Sequence, residues 1–198
     1  ERGLDDRTIE ATTLNNMGKV YSDLGQHEKS LDFYNQALPI QRSAGELGAL
    51  ATTLNNIGAA YRYLGQLEKS LDYFNQALPI VRQTGNQFTE ALVLNNNGGI
   101  YGAHARPKKA LDYYTLALSI RRTIGDRGGE AASLSSIASA HSNMGEHLIA
   151  LDFHNLALVI RREIHARNGE AGSLMNIGST YSDLGDQLRQ RAQAAAAD

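Results

Sequence analysis

The sequence repeats with a period of 40 residues, and the first full copy begins at Ala11. ATTLNNMGKVYSDLGQHEKSLDFYNQALPI begins at Ala11 and ATTLNNIGAAYRYLGQLEKSLDYFNQALPI begins at Ala51, and the same frame returns from Ala91, Ala131 and Ala171. A unit of this length cannot bury its apolar face alone, so consecutive copies must stack on one another. The period therefore predicts one elongated domain and not several globular ones.

This frame divides the chain into one partial copy, four full copies and a second partial copy. The predicted boundaries are 1–10 for the tail of a preceding repeat, 11–50, 51–90, 91–130 and 131–170 for repeats 1 to 4, and 171–198 for a partial repeat 5. Because ERGLDDRTIE aligns in frame with RRTIGDRGGE at 121–130, we expect the chain to be a segment of a longer array. The last residues, DQLRQRAQAAAAD, predict a capping helix or a tail added for expression.

Within each copy, apolar residues recur at helical spacing. Leu14, Met17, Tyr21 and Leu24 form the first series, and Gly25 follows it as a stop signal. The helical period then resumes at Leu31, Tyr34, Ala37 and Leu38. Each copy is therefore predicted to be a helical hairpin.

A glycine also follows the second helix of the hairpin. Gly45, Gly85 and Gly125 suit a left-handed residue at a helix end. In the fourth copy His165 takes that place, so we expect it to adopt a strained left-handed conformation.

Composition and charge exclude several function classes. The 198 residues carry 19 Lys and Arg against 21 Asp and Glu, with no basic stripe to neutralise phosphates, so nucleic acid is not an expected partner. The lack of cysteine excludes disulfides and thiolate metal sites. No apolar run reaches the length of a membrane span, so we expect no membrane partner and a cytoplasmic location.

The sequence also lacks the usual catalytic signatures. It contains no phosphate-binding GxxxxGKS or GxxxxGKT, no GxGxxG, no HExxH and no GxSxG, so we expect no enzymatic activity and no cofactor. His141, His147 and His154 lie within one hairpin, but His141 aligns with Tyr21 and His154 with Tyr34. We therefore interpret these two as packing aromatics and expect no metal site.

The positions that carry apolar and small residues resemble the tetratricopeptide repeat. The matching residues of the first copy are Leu14, Met17, Gly18, Tyr21, Gly25, Ser30, Tyr34 and Ala37. The 40-residue unit is similar to the repeats of LGN and Pins and, more distantly, of kinesin light chain. The resemblance implies an all-α fold, a right-handed α-solenoid of stacked helical hairpins. Its first helices would line a concave groove that binds peptides or extended protein segments.

Asparagine pairs recur on the polar face of the first helices. They are Asn15 with Asn16, Asn55 with Asn56, and Asn95 with Asn96, and Asn176 returns in the last copy. Asparagine is a poor helix former, whereas a carboxamide both donates and accepts, so a row of them suits the main chain of an extended peptide. In the resembling family the second asparagine of such a pair contacts ligand backbone.

That implied role applies to Asn16, Asn56, Asn96 and Asn176, while Ser136 interrupts the row in the fourth copy. Two alternatives stay open. In the first, the pairs have no function and were merely copied by tandem duplication. In the second, the amides join adjacent helices.

Further residues on this side are candidates for ligand selectivity. Lys19, Arg62 and Tyr63 would supply charge-assisted bonds and an aromatic anchor, unless they form only a solvated face. Gly99 and Gly102 would leave a recess for a ligand, unless they reflect drift in a redundant copy.

The third copy is predicted to be the weakest locally. Asn97 takes a slot that is apolar in the other copies, and three glycines share its helix. We expect this helix to be the first to open.

The predicted function is a protein–protein interaction scaffold that binds an extended peptide or protein segment in the concave groove, as part of a larger regulatory protein. One alternative is a structural solenoid that self-associates by end-to-end stacking of its exposed repeat ends. Another is the sensor arm of a longer enzyme whose catalytic domain lies outside this sequence.

Overall fold

The computed structural model describes the backbone of residues 2–197 and the side chains of residues 6–196. Helices and short turns account for all of the described backbone. The helices are α1 (Arg2–Asp23), α2 (His27–Ala44), α3 (Leu47–Tyr63), α4 (Leu67–Thr84), α5 (Gln87–Ala103), α6 (Pro107–Thr123), α7 (Arg127–Asn143), α8 (His147–Glu163) and α9 (Arg167–Ala197).

The chain forms two compact units, Glu1–Ile100 and Tyr101–Asp198, and α5 contains the division. In the first unit α1 packs on α2, α2 on α3, and α3 on α4. In the second unit α6 packs on α7, α7 on α8, and α8 on α9. This order of stacked helical hairpins confirms the predicted all-α fold.

The hydrophobic core of the first unit consists of clusters between neighbouring helices and not of one central layer. One cluster brings Leu31 and Tyr34 of α2 against Ile57 and Ala60 of α3. A second cluster contains Leu54, Phe74, Val93 and Ile100 with their neighbours from α3, α4 and α5. Burying each large apolar side chain contributes about 1.5–3 kcal/mol, so these inter-helix contacts hold the stack together.

Glycines at the helix ends lie in the left-handed region, and they include the predicted stop residues Gly25, Gly45, Gly85 and Gly125. Their φ angles are 73° at Gly25, 71° at Gly45, 73° at Gly65, 68° at Gly85, 71° at Gly125 and 75° at Gly145. After α2, the amide of Gly45 donates to Arg42 O (3.3 Å) and that of Glu46 to Gln41 O (3.1 Å), which satisfies the last carbonyls of the helix.

Two residues other than glycine also take this conformation. His165 has a φ of 55°, as the sequence predicted, and Ala105 has a φ of 53° at the place of Gly25 and Gly65. Each is strained, because a β-carbon approaches the following carbonyl oxygen in the left-handed region.

The helices begin and end at different residues from the predicted repeat boundaries. The frame starts repeats 2 to 5 at residues 51, 91, 131 and 171, whereas α3, α5, α7 and α9 begin at Leu47, Gln87, Arg127 and Arg167. The boundary after residue 10 falls inside α1. The 40-residue frame thus marks the sequence period, and the helices start about one turn earlier.

The last copy forms a single helix. α9 continues through Gly185, the equivalent of the stop residue Gly25, to Ala197. The residues that follow Gly185 lack the leucine and aromatic positions of a second helix, so nothing favours a turn back onto α9. These residues continue α9, and their interpretation as a cap or as an added tail stays a prediction.

Two expected core positions, one in α1 and one just after its end, are wrong. Met17 and Leu24 are 40% and 64% exposed, and Val20 beside them is 57% exposed. Their equivalents in α3 include Ile57, which packs against α2 of the preceding hairpin. Within the first unit α1 packs on α2 and α3, which leaves this face uncovered.

Salt bridges connect the end of one hairpin to the start of the next helix. They join Arg82 to Glu90 (2.9 Å), Arg122 to Glu130 (2.8 Å) and Arg162 to Glu170 (2.7 Å). The arginine of each pair is more than half exposed, so each bridge contributes at most about 1 kcal/mol. The pairs are visible in the sequence as an arginine followed eight residues later by a glutamate.

Candidate functional site

The asparagine pairs of the first unit are interlocked between neighbouring copies. The Oδ1 of Asn15 accepts hydrogen bonds from Thr53 Oγ1 (2.9 Å) and from Asn56 Nδ2 (3.4 Å). One copy further along, Asn96 Nδ2 donates to Asn55 Oδ1 (2.9 Å). The first asparagine of one copy therefore holds the second asparagine of the next.

This arrangement corrects the prediction for Asn55. Its side chain is only 4% exposed and its oxygen is engaged by Asn96, so it does not lie on an accessible surface. Asn15 is half-buried and is engaged in the same way. For these two residues the structure favours the alternative in which amides join adjacent helices.

The second asparagines are the accessible members of the pairs. Asn16 and Asn176 are exposed, and Asn56 and Asn96 are partly exposed. Because Asn56 and Asn96 each use one N–H on a neighbouring asparagine, each keeps its carbonyl oxygen and a second N–H. The interlock thus fixes the orientation of an amide that still has a donor and an acceptor.

Other polar residues lie on the same face of α1 as Asn16. Thr12, Lys19 and Asp23 are exposed on α1 beside Asn16. Ser136, which takes the place of the second asparagine on α7, donates from Oγ to Ala132 O (3.1 Å) and satisfies its own helix. The fourth copy therefore has no equivalent amide.

Arg62 and Tyr63 form a stacked group at the end of α3. The exposed ring of Tyr63 lies parallel to the ring of His27, with centroids 4.6 Å apart. The guanidinium carbon of Arg62 lies 5.1 Å from the Tyr63 centroid. These contacts hold both side chains in place, and their predicted part in ligand selectivity stays a prediction.

The two glycine candidates are partly buried on α5. At Gly102 an added β-carbon would meet the Tyr114 hydroxyl at 3.7 Å and the Ala110 β-carbon at 3.9 Å, which is ordinary contact. Gly99 is partly exposed. Their predicted role as a recess for a ligand stays a prediction.

Asn97 is the least expected side chain in this helix. It is fully buried at 0% exposure, and neither its Nδ2 nor its Oδ1 has a hydrogen-bond partner among the described residues. An unpaired buried carboxamide costs about 1–3 kcal/mol, which supports the prediction of a weak third copy.

The histidines of the fourth copy pack as the sequence predicted. His141 stacks on Phe153 with centroids 5.5 Å apart, and Tyr21 stacks on Phe33 in the same way at 5.1 Å. His154 is 2% exposed, at the place of Tyr34. Burial, and then the nearby charge of Arg161, hold the pKa of His154 below its ordinary value.

The described residues bring no three His, Cys, Asp or Glu side chains together in a way that would hold a metal ion. Across the same part of the chain, each helix is too short or too polar to cross a membrane.

Lysines recur over the paired aromatic rings, a feature that the sequence analysis missed. Lys29 lies over Tyr21 (5.6 Å to the centroid), Lys69 over Tyr61 (5.3 Å) and Lys109 over Tyr101 (4.1 Å). The sequence signal is a lysine eight residues after the tyrosine of each of the first three copies. The fourth copy has Ile149 at this place.

A polar cleft of about 200 Å³ lies in the second unit where α7, α8 and α9 meet, and Asn176 is part of its wall. The lining residues are Ser139, Ser142, Asn143, His154, Asn176, Ser179, Thr180 and Asp183. All of these side chains are polar.

Solved structures with the same fold come from different kinds of protein. The repeats of a Podosopora anserina protein assigned as kinesin light chain superpose with a TM-score of 0.70 and 17% identity, over 92% of this chain and 90% of that one. A Rap protein in complex with competence and sporulation factor gives a TM-score of 0.80 and 18% identity, over 91% and 50%.

A third structure is a signal transduction ATPase with numerous domains from Pyrococcus horikoshii, which has a tetratricopeptide repeat sensor. Its TM-score is 0.76 at 18% identity, over 88% of this chain and 27% of that one. At these identities the likeness shows a shared fold.

The sequence itself identifies the family. No curated protein matches the chain. The tetratricopeptide repeat model matches residues 2–43 and 49–123, which is more than half of the 198 residues. The chain therefore belongs to the tetratricopeptide repeat family.

Proposed function

We propose that this chain binds an extended protein or peptide segment along the accessible second asparagines of the first unit, Asn16, Asn56 and Asn96. Tetratricopeptide repeats are protein-interaction scaffolds and are typically non-catalytic. The observation that carries the proposal is the interlock, which leaves a donor and an acceptor free on Asn56 and Asn96 while fixing their orientation. A main chain in extended conformation presents the complementary N–H and C=O groups at regular intervals.

Preorganisation is the physical advantage of this arrangement. A free asparagine loses side-chain entropy when it binds a ligand, whereas an asparagine already held by its neighbour loses less. Similarly, a Rap protein with this fold was solved in complex with competence and sporulation factor. Arg62, Tyr63 and Lys19 would then select among ligand side chains.

The test is capture of peptides from a random-sequence library by the chain and by an Asn16→Ala, Asn56→Ala, Asn96→Ala variant. We expect the variant to capture at least tenfold less, because each lost amide removes main-chain hydrogen bonds of about 0.5–1.5 kcal/mol.

The matched control changes asparagines on the second helices of the hairpins, Asn35→Ala, Asn75→Ala and Asn155→Ala, all of which are exposed. It should capture peptides like the parent. Melting temperatures of both variants separate lost binding from lost folding. Equal capture by the two variants at equal stability would refute the proposal.

A second candidate function is self-association, and the uncovered face of α1 favours it. Val20 and Leu24 line a cleft of about 450 Å³ together with Met17 and Tyr21. The corresponding face of α3 is buried, because Ile57 packs there against α2. In α9 the apolar residues Met175 and Tyr181 are also exposed. Stacking the α1 face of one copy on the α9 face of another would bury both.

Light scattering over a concentration series tests this candidate. We expect the weight-average mass to rise with concentration for the parent and to stay at the monomer value for Val20→Lys, Leu24→Glu. A parent that stays monomeric at every concentration would exclude it. The sensor-arm alternative stays a prediction, which the sequence of the full-length gene would test.

A further inference from the structure

The polar cleft of the second unit differs from the same place in the other copies. Ser139, Ser142 and Asn143 of α7 correspond to Ala59, Arg62 and Tyr63 of α3 by the 40-residue period. His154 replaces the aromatic rings of Tyr34, Phe74 and Tyr114. The cleft is therefore a local feature of this unit and not part of the repeating scaffold.

Two of its lining residues have a buried polar atom with no hydrogen-bond partner among the described residues. These atoms are Oγ of Ser142 and Nδ1 of His154, and the His154 side chain as a whole is 2% exposed. Buried polar atoms are nearly always paired, so two unpaired atoms in residues that line the same cavity indicate a site for a polar group.

The hydrogen bonds that other hydroxyls of the lining residues already make indicate which chemical group fits the cleft. Ser139 Oγ donates to Ser135 O (3.1 Å) and Thr180 Oγ1 donates to Asn176 O (2.8 Å). A hydroxyl has one proton, so each of these two oxygens can only accept a hydrogen bond from a bound group. Ser142, Ser179, Asn143 and Asn176 can both donate and accept, so the two engaged hydroxyls and the carboxylate of Asp183 give the lining side chains more acceptor than donor atoms.

The charges around the cleft have the same preference. Asp183 contributes a carboxylate, and among the described residues that line the cleft none is a lysine or arginine. Arg161 has its charge near His154 but does not line the cleft, and it donates to Gly169 O (3.1 Å) and to Ser173 Oγ. Burial lowers the pKa of His154, which favours the neutral ring, and a neutral imidazole has one nitrogen that accepts and one that donates.

We propose that this cleft binds a cationic side chain, a guanidinium or an ammonium group, of a protein or peptide partner. The proposal rests on the proposed function and adds a preferred residue type to it. A guanidinium has five donors and no acceptor, which suits a cavity of acceptors with one carboxylate at its edge. Asn176, the second-asparagine position of the last copy, is part of the cleft wall.

The experiment uses three small probes with the isotope-labelled chain: N-acetyl-arginine amide, N-acetyl-lysine amide and N-acetyl-citrulline amide. Amide shifts in NMR spectra are followed during titration. Citrulline keeps the shape of arginine but carries no charge. We expect the arginine or the lysine probe to shift residues 139–143, 154 and 176–183 and to bind at least tenfold more tightly than the citrulline probe.

The decisive variant is Asp183→Asn, with Asp23→Asn as its matched control, because Asp23 is the exposed equivalent on α1. Asp183→Asn should weaken the tighter probe at least fivefold, and Asp23→Asn should leave it unchanged. The comparison of the two cationic probes identifies the preferred group.

Equal binding of the citrulline probe, an unchanged affinity in Asp183→Asn, or shifts confined to other parts of the chain would overturn the proposal. These outcomes are independent of peptide capture by the asparagine variant. A segment captured with no preference for Arg or Lys would contradict the cation site and leave the proposed function standing.

Discussion

Gly58 of α3 lies against the ring of Phe74 in α4, so closely that a β-carbon on residue 58 would be 2.6 Å from Cε1. Gly18 and Tyr34 repeat the relationship in the preceding hairpin, at 2.5 Å. The hydroxyl of Ser70 also donates to Gly58 O (2.7 Å). The lack of a side chain at residues 18 and 58 allows the two helices of each hairpin to pack closely.

Gly58→Ala should therefore destabilise the chain by about 1–3 kcal/mol, because the ring must move and both helices are fixed by their other contacts. The opposite sign is expected for Gly48→Ala in the same helix, where a β-carbon meets no atom within 4 Å. Helix propensity alone favours Ala there by about 0.8–1.0 kcal/mol. Urea denaturation of both variants checks the pair, and a stabilised Gly58→Ala would contradict the close approach.

Asn97→Ile should stabilise the chain by about 1–3 kcal/mol, because it removes a buried unpaired carboxamide and restores the apolar residue of Ile57. The matched control is Asn35→Ile on the exposed face of α2, where no gain is expected. Amide hydrogen exchange gives a second measurement. Residues 91–104 of the parent should exchange faster than 51–64, and equal protection would show that the third copy is not weak.

His165→Gly and Ala105→Gly should each raise the free energy of unfolding by about 1 kcal/mol, because glycine adopts a positive φ without the clash of a β-carbon. Ala132→Gly in the interior of α7 is the comparison, and it should lower stability by a similar amount. Thermal unfolding monitored by circular dichroism measures all three. If His165→Gly and Ala105→Gly both lose stability, residues 165 and 105 do not have a positive φ in solution.

The stability of the fourth copy should depend on pH through His154. Its folded-state pKa lies below the ordinary value of 6.5, so the unfolded chain takes up the proton first as the pH falls. The contribution is fully present above about pH 6.5 and is lost progressively below it, down to the folded-state pKa. His154→Phe should flatten this part of the stability curve.

The control for this curve is His165→Asn, which removes an exposed imidazole and should keep the slope of the parent. Urea denaturation between pH 5 and pH 8 gives the free energy of unfolding at each point. If His154→Phe keeps the parental slope, burial of this ring does not cause the pH dependence.

The hairpins were predictable because their determinants lie within one copy. Leu14 and Tyr21 define the first helix by their spacing, and Gly25 and Gly45 fix the turns through their positive φ. The packing role of His154 followed from its alignment with Tyr34 alone. Such positions need only the period and the local pattern.

The accessible members of the asparagine pairs were harder to predict, because accessibility depends on the neighbouring copy. On the helical wheel Asn55 lies beside Asn56 at the edge of the polar face, and only the packing of adjacent helices decides that the first is buried. The exposure of Leu24 has the same origin. It occupies an apolar position that a neighbouring hairpin would have to cover.

The interlock of Asn15 with Asn56 and of Asn55 with Asn96 has a consequence for how such arrays lengthen. In each duplicated copy, the second asparagine finds its hydrogen-bond partner in the first asparagine of the copy before it. Duplicating 40 residues therefore adds one oriented amide to the surface without any compensating mutation. Gene duplication alone can thus match the reach of such a protein to a longer ligand.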